Sequence, residues 1–593
     1  MGVLPFMDYR GVAFGMNDAR SRQIGGMRFE LMYREFRTPE LLPILNRLDP
    51  DERDLLYGVP DLPEPPNEMA KPYEKSFHAD NIGYAVLRSQ NDRPIEERIQ
   101  AALKYGTHGG HHGHFDRANL VCLMRYGRKL GTPHGEWFSY GNVFYRIFNQ
   151  ATTQHNMVVV DQKLQEPRES ELLHFYSGDR LQAAAVETDT RWSFIPPVNQ
   201  KGDPRMQYHR RFIPTYPNAP DNPMKLQGFT EKVRQRRLLL VTDDYIVMAD
   251  GLEGDNKHTY DHSLWIHGME DVTAKKKEFL RRDPQLDPDP RKVAQLITNV
   301  DWYDAEGTVR ANYAYEVDAG TRLAERQNNE PGPMHYSVFH AWPRTDRIVG
   351  TGNLPNSGHQ LNLDWSVSGP DGGVLAEGNT QPWSIGTGDV ELDVTGMDQL
   401  TLSAEVLFKG RNTPQSLFWY GSVTTAEDKE IPLHKLPHAV KNLKYEQPRS
   451  EDYEGGPIDV AGVSVDTALP AEPANADKPA RVTLNLSAVD ATKLNAVVGG
   501  DHPVGPTGDR RRGLFVRKRG KTAAFLTVIE PYESEELVES VKAEGPDSLV
   551  VTLSDGRKHH YQISGFHGSG DNITVKMIET KSCEVKFRES TAK

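Results

Sequence analysis

RLLLVTDDYIVMADGL, residues 237–252, sets two apolar, β-branched runs on either side of a Thr-Asp-Asp step. The runs are too short for helices, and Asp and Gly bound them, which marks strands. The same reading extends to IGYAVLRS (82–89), ANLVCLMRY (118–126), NMVVVD (156–161) and HYSVFHAW (335–342). Fifty glycines and forty prolines punctuate these runs, as expected of a turn-rich β protein. Helix spacing is sustained only near the front. Met27, Leu31, Met32 and Phe36 recur at helical intervals, and TPELLPILNRL (38–48) follows with a Thr-Pro start. GVPDLPEPPNEMAKP (58–72) then reads as a linker. The expected fold class is mainly β, with helices concentrated before about residue 60.

A chain of 593 residues predicts two to four domains. Residues 1–70 form a helical segment with its linker, and 71–344 a β unit. Residues 345–435 form an inserted β-sandwich, because LDWSVSGPDGGVLAEG, DVELDVTGMDQLTLSAEV and SLFWYGSVTTAE are short strand patterns separated by turn signals. Residues 446–481 are rich in Pro, Ala and acid and are expected to be a linker. Strands resume over 482–593, where SLVVTLSDGRKHHYQIS (548–564) reads as strand, Ser-Asp-Gly turn and strand. RRDPQLDPDPRK (281–292) is an exposed loop by composition.

The formal charge of -13 and the absence of long basic blocks argue against a nucleic-acid binder. An anionic substrate remains open, because one basic cleft can sit in an acidic surface. Two cysteines give no disulfide framework, and Cys122 lies in an apolar run as a buried thiol. No apolar stretch is long enough to span a membrane, and the first residues lack a signal-peptide layout.

Chemistry concentrates in HGGHHGHFDRANLVCLMRYG (108–127), which gathers His108, His111, His112 and His114 just before an apolar run. The start of a metallo-β-lactamase pattern is present in HGHFD (112–116), but Arg117 stands where that pattern needs His. His112 and His114 are two apart, so an extended backbone turns them to one side. His155, in TTQHNMVVVD, precedes a second apolar run. Histidines from separated strands suit a tetrahedral Zn²⁺ site with a carboxylate or further His, and they equally suit hydrogen-bonded turns. Trp365, Trp383, Trp419 and Tyr420 are either a sugar-stacking platform or the core of the inserted sandwich. His258, His262 and His267 read as sheet and loop hydrogen-bonding residues, and Arg510 to Arg512 as a solvated turn.

GGHHGHFDRANLVCLMRYGRKLGTPHGEWFSYG (109–141) followed by TTQHNMVVVD (152–161) resembles the heparinase II/III-like polysaccharide lyases. VLPFMDYRGVAFGMNDAR (3–20) is similar to the end of that family's helical α/α toroid. FHADNIGYAVLRS (77–89) and residues 234–268 are similar to its sandwich strands. The resemblance covers about residues 1–270. It implies a large antiparallel β-sandwich and β-elimination on a uronic-acid polysaccharide. It further implies His112 and Tyr140 as catalytic groups facing the cleft, and a structural zinc held by His114 and His155. The family has Asp-x-Gly where this chain reads TPHG (132–135), so the third ligand is expected to be missing or replaced by His134, with His134 or water completing the shell. The toroid's own catalytic groups are expected upstream of Met1, which predicts weak activity for this chain alone and an apolar underside open to a toroid partner or a second copy. An anionic polysaccharide partner and a periplasmic or extracellular location follow from the same resemblance. The alternatives are a carbohydrate-binding scaffold that keeps the sandwich without catalysis, and a metal-dependent hydrolase.

Overall fold

The computed structural model describes residues 4–17, 22–23, 26–46, 58–59, 61–66, 71–106, 113–130, 148–168, 170–194, 228–289, 291–317, 328–354, 362–379, 387–408, 416–451, 458–460, 463–475, 478–501, 512–568, 570 and 572–592. It is 59% strand and 7% helix, so the chain is mainly β. Both helices of the described residues, Gly26–Phe36 and Leu42–Leu45, fall in the front segment where helix spacing was found. They enclose a small core with Leu4, Met7, Phe29, Tyr33, Leu41 and Tyr73. No described helix is long and apolar enough to cross a membrane.

The centre of the molecule is a ten-stranded antiparallel sheet. Its main path runs Glu171–Ser177, Gln182–Thr190, Val233–Val241, Ile246–Trp265, Arg512–Tyr532, Gly332–Trp342, Thr298–Val317 and Met269–Gln285. Val158–Val160 pairs with Ile246–Trp265, and Ile348–Asn353 bridges Thr298–Val317 and Arg512–Tyr532. Both faces of this sheet are covered. A five-stranded sheet (Phe77–Ala79, Tyr84–Arg88, Gln100–Lys104, Asn119–Arg125, Arg128–Lys129) packs on one face, and another drawn from residues 538–590 packs on the other. The alternation is visible residue by residue. Ala184, Val186, Leu239, Val241 and Met248 join the first core, whereas Ala183, Ala185, Leu238, Leu240 and Val247 join the second. Successive side chains point to opposite faces, so a doubly covered strand is apolar at every position. That is why the run 238–241 shows no polar alternation.

Three boundaries differ from the sequence reading. The inserted sandwich takes strands from 362–501 and packs a five-stranded sheet on a seven-stranded one around Leu402, Trp419, Val482 and Leu494. The segment expected as a linker, 446–481, therefore contributes strands Ile458–Val460, Val463–Val465 and Leu469–Pro470. Its alanines and prolines concealed three very short strands. Arg512–Tyr532 does not begin an independent tail, but lies in the centre of the large sheet beside Ile246–Trp265. Residues 281–285 of the expected loop extend the strand Met269–Gln285, the exposed edge of that sheet. The Ser-Asp-Gly turn is present between Ser548–Leu553 and Arg557–Ser564, and Gly556 takes the positive φ (84°) that it requires.

Candidate functional site

Asn119–Arg125 begins directly after the His-rich segment, and Val158–Val160 follows His155. Leu120 N–H donates to the Asn156 carbonyl (3.2 Å) and the Asn156 side-chain amide to the Leu120 carbonyl (3.2 Å), which ties the two segments together. This brings His114, Asp116 and His155 together, all buried, with one potential ligand atom of each within 4.8 Å of the others. The imidazole centroids are 5.1 Å apart.

Each partner is oriented. Asn156 N–H donates to Asn119 Oδ1 (3.1 Å), which fixes the Asn119 amide with its NH₂ toward the site. That NH₂ donates to Asp116 Oδ2 (3.0 Å) and lies 3.3 Å from His155 Nδ1. Burial depresses the His155 pKa to about 4, with Lys104 and Arg117 also lowering it against the pull of Asp116, so the ring is neutral at pH 7. Burial opposes ionisation of Asp116, yet the buried Lys104 ammonium and the two imidazoles hold it below the usual carboxylate range. Lys104 also donates to Asn17 Oδ1, which fastens the front segment to the site.

Two imidazoles and a carboxylate are a zinc donor set, and the Lys104 and Asn119 bonds to Asp116 are the outer contacts that orient such a ligand. The residues present therefore fit the metal that the family resemblance implies. Asp116 offers a carboxylate as the third member of this cluster. Its signal in the sequence is its spacing, two residues beyond His114 on an extended segment. His112, His134 and Tyr140 lie outside the described residues, as does Trp383.

A buried polar chain leaves this site and crosses the core. The Asn156 carbonyl accepts from Arg237 Nη1 (2.6 Å), and Arg237 forms a two-pronged ion pair with Asp250 (2.7 and 2.9 Å). Asp250 Oδ2 lies 3.5 Å from His262 Nε2, the His262 and His340 rings are 5.0 Å apart, and Thr527 Oγ1 is 3.0 Å from His340 Nδ1. Burial lowers the pKa of both histidines. His262 is thus a buried sheet residue beside Asp250. His258 is held between Asp161 (2.7 Å) and Glu231 (2.8 Å), as a hydrogen-bonding role requires. Trp419 is buried in the inserted sandwich, Trp365 packs against the same core, and Tyr420 packs on a neighbouring cluster. Arg512 is not a solvated turn residue, since it donates to Thr351 Oγ1 at 2.9 Å. Cys122 is buried, and burial raises its thiol to about 12.

No family profile matches the chain, and no curated protein is similar to it. Among solved structures it is similar to a heparinase III gene product (10% identity over 99% of this chain and 51% of that one, TM-score 0.37). It is also similar to heparan sulfate lyase HepC from Pedobacter heparinus (10% identity over 96% and 53%, TM-score 0.40), and to a further heparinase III (11% identity over 99% and 53%, TM-score 0.37). The chain spans about half the length of these structures.

Proposed function

We propose that this chain forms the β-sandwich part of a polysaccharide lyase that acts on a uronic-acid polymer, with zinc held by His114, Asp116 and His155. The observation that carries this reading is the convergence of His114 and His155 from separate segments onto a buried carboxylate. Both histidines also stand at the motif positions that, by resemblance, hold the metal.

In β-elimination a base removes the C5 proton, the electron pair forms the C4–C5 double bond, and the C4–O bond breaks with protonation of the departing oxygen. No water is consumed. The reaction needs a base within hydrogen-bond reach of C5 and neutralisation of the uronate carboxylate. His112 and Tyr140 are the candidates for proton transfer. Zinc, when bound, would supply a structural cross-link between the segments that carry His114 and His155. His114 and His155 orient those segments, and Asp116, fixed by Lys104 and Asn119, offers the third ligand. Location outside the cytoplasm accords with such a substrate.

The test is incubation of the purified chain, alone and with extracts of its source, with alginate, glycosaminoglycan and ulvan-type polymers. Release of unsaturated uronate, detected by its ultraviolet absorbance and reduced at least tenfold by Tyr140→Phe, is the expected result. Hydrolysis without that chromophore would replace the lyase reading with that of a hydrolase, and saturable polymer binding without products would favour the scaffold.

A further inference from the structure

Arg117 follows the candidate zinc ligand Asp116, and its whole side chain is buried. Its backbone N–H donates to Gln165 Oε1 (2.8 Å). The Gln165 NH₂ lies 3.5 Å from the Arg117 carbonyl and 3.4 Å from Gln235 Oε1. Gln235 is the cross-strand partner of Thr188, and Trp192 is that of Gln165, so Gln165 meets Arg117, Trp192 and Gln235, with Thr188 beside the last. Within the described residues, no hydrogen-bond acceptor meets any of the three guanidinium nitrogens of Arg117. Gln235 Nε2, Trp192 Nε1 and the hydroxyls of Thr188, Thr190 and Ser193 are likewise without partners there. Every one of these groups can donate.

The charges are unbalanced as well. The carboxylates that act electrostatically on Arg117 are Asp116 and Glu166. Asp116 is already paired with Lys104, and Glu166 with Arg191 (2.6 Å) and Arg168 (3.1 Å). Arg117 is a surplus interior cation, since guanidinium stays protonated in proteins. Water can accept its hydrogen bonds but does not cancel its charge, and an uncompensated buried ion is among the most expensive groups in a fold. An anion supplies both needs, and a planar carboxylate matches the guanidinium fork with two parallel bonds.

We propose that Arg117 and the donors gathered around Gln165 bind a carboxylate inside the sandwich, supplied by a small free acid or by a uronate sugar. The uronate source alone rests on the lyase reading.

The test is thermal melting of the full chain in sodium acetate and in sodium glucuronate, against sodium chloride at matched ionic strength. A saturable rise of about 2–4 °C over chloride is expected, and it should disappear in Arg117→Met and Arg117→Gln. Stabilisation by both salts identifies a free-acid site, and by glucuronate alone a sugar site. No rise with either salt, or an equal rise in both variants, overturns the proposal. If the variants do not fold, calorimetric titration of the wild-type chain decides: saturable heat with acetate or glucuronate supports the site, and its absence overturns it. Absence of lyase products both alone and with source extract, with acetate binding intact, removes the lyase reading and leaves this site standing.

Discussion

The two faces of the ten-stranded sheet differ in what they bury. Toward the sheet of residues 538–590, the core is Leu238, Leu240, Val247, Leu526, Val551 and similar side chains. Its buried polar groups include Tyr245, which meets His559 (2.6 Å) and Tyr561 (2.7 Å), and His559 meets Glu579 (2.9 Å). Toward the sheet of residues 77–129, the apolar core is threaded by Arg237, Asp250, His262, His340 and Thr527, and it adjoins His155, Asp116 and Arg117. The face toward residues 538–590 buries charge as well, since Arg236 pairs with Glu187 (2.5 Å) and donates to the Gly570 carbonyl (2.9 Å). Buried ion pairs are weak contributors to stability, and only the face toward residues 77–129 adjoins, among the described residues, a cluster with metal-ligating side chains, His114, Asp116 and His155.

The largest expected effect comes from breaking that spine. Arg237→Met should cost about 3–5 kcal/mol by leaving Asp250 buried without its cation. The double variant Arg237→Met/Asp250→Leu should recover most of the loss, and denaturant unfolding measures both. Leu240→Ala on the face toward residues 538–590 should cost about 2–5 kcal/mol through lost burial and a cavity, with no second-site rescue of that kind.

Histidine titration gives opposite signs in two places. His262 and His340 have lowered pKa values, so the unfolded chain binds more protons as pH falls below the ordinary histidine value of ~6.5. Stability should therefore decline on acidification, and less steeply in His340→Gln. For His258, burial lowers the pKa, but Asp161 and Glu231 outweigh it and the net shift is upward. Its contribution is then complete below ~6.5 and is lost as pH rises through the elevated folded value. The melting difference between wild type and His258→Gln should be larger at pH ~6 than at pH ~9. The smallest effect is on the face toward residues 538–590. Tyr245→Phe removes a hydroxyl shared by His559 and Tyr561 and should cost about 1–2 kcal/mol.

Local patterning made much of this legible. The runs 238–241 and 245–249 identified strands because the alternation of faces needs no distant information. Pairing of 246–265 with 512–532 was not legible, because nothing in either strand names a partner across an inserted sandwich. His114 and His155 stand out as imidazoles beside apolar runs, whereas Asp116 carries no such mark and the resemblance points to residues 132–135 for the third ligand. Lys104 and Asn119 carry no motif, and only the packed sheet shows that they orient that carboxylate.

The central claim is that His114, Asp116 and His155 hold a metal, and elemental analysis with melting in chelator tests it most directly. The account predicts about one zinc per purified chain, a lower melting temperature after chelation, restoration by added zinc, and loss of the metal in Asp116→Ala and His155→Ala. A chain that carries no metal after zinc loading, and melts identically with and without chelator, would contradict it.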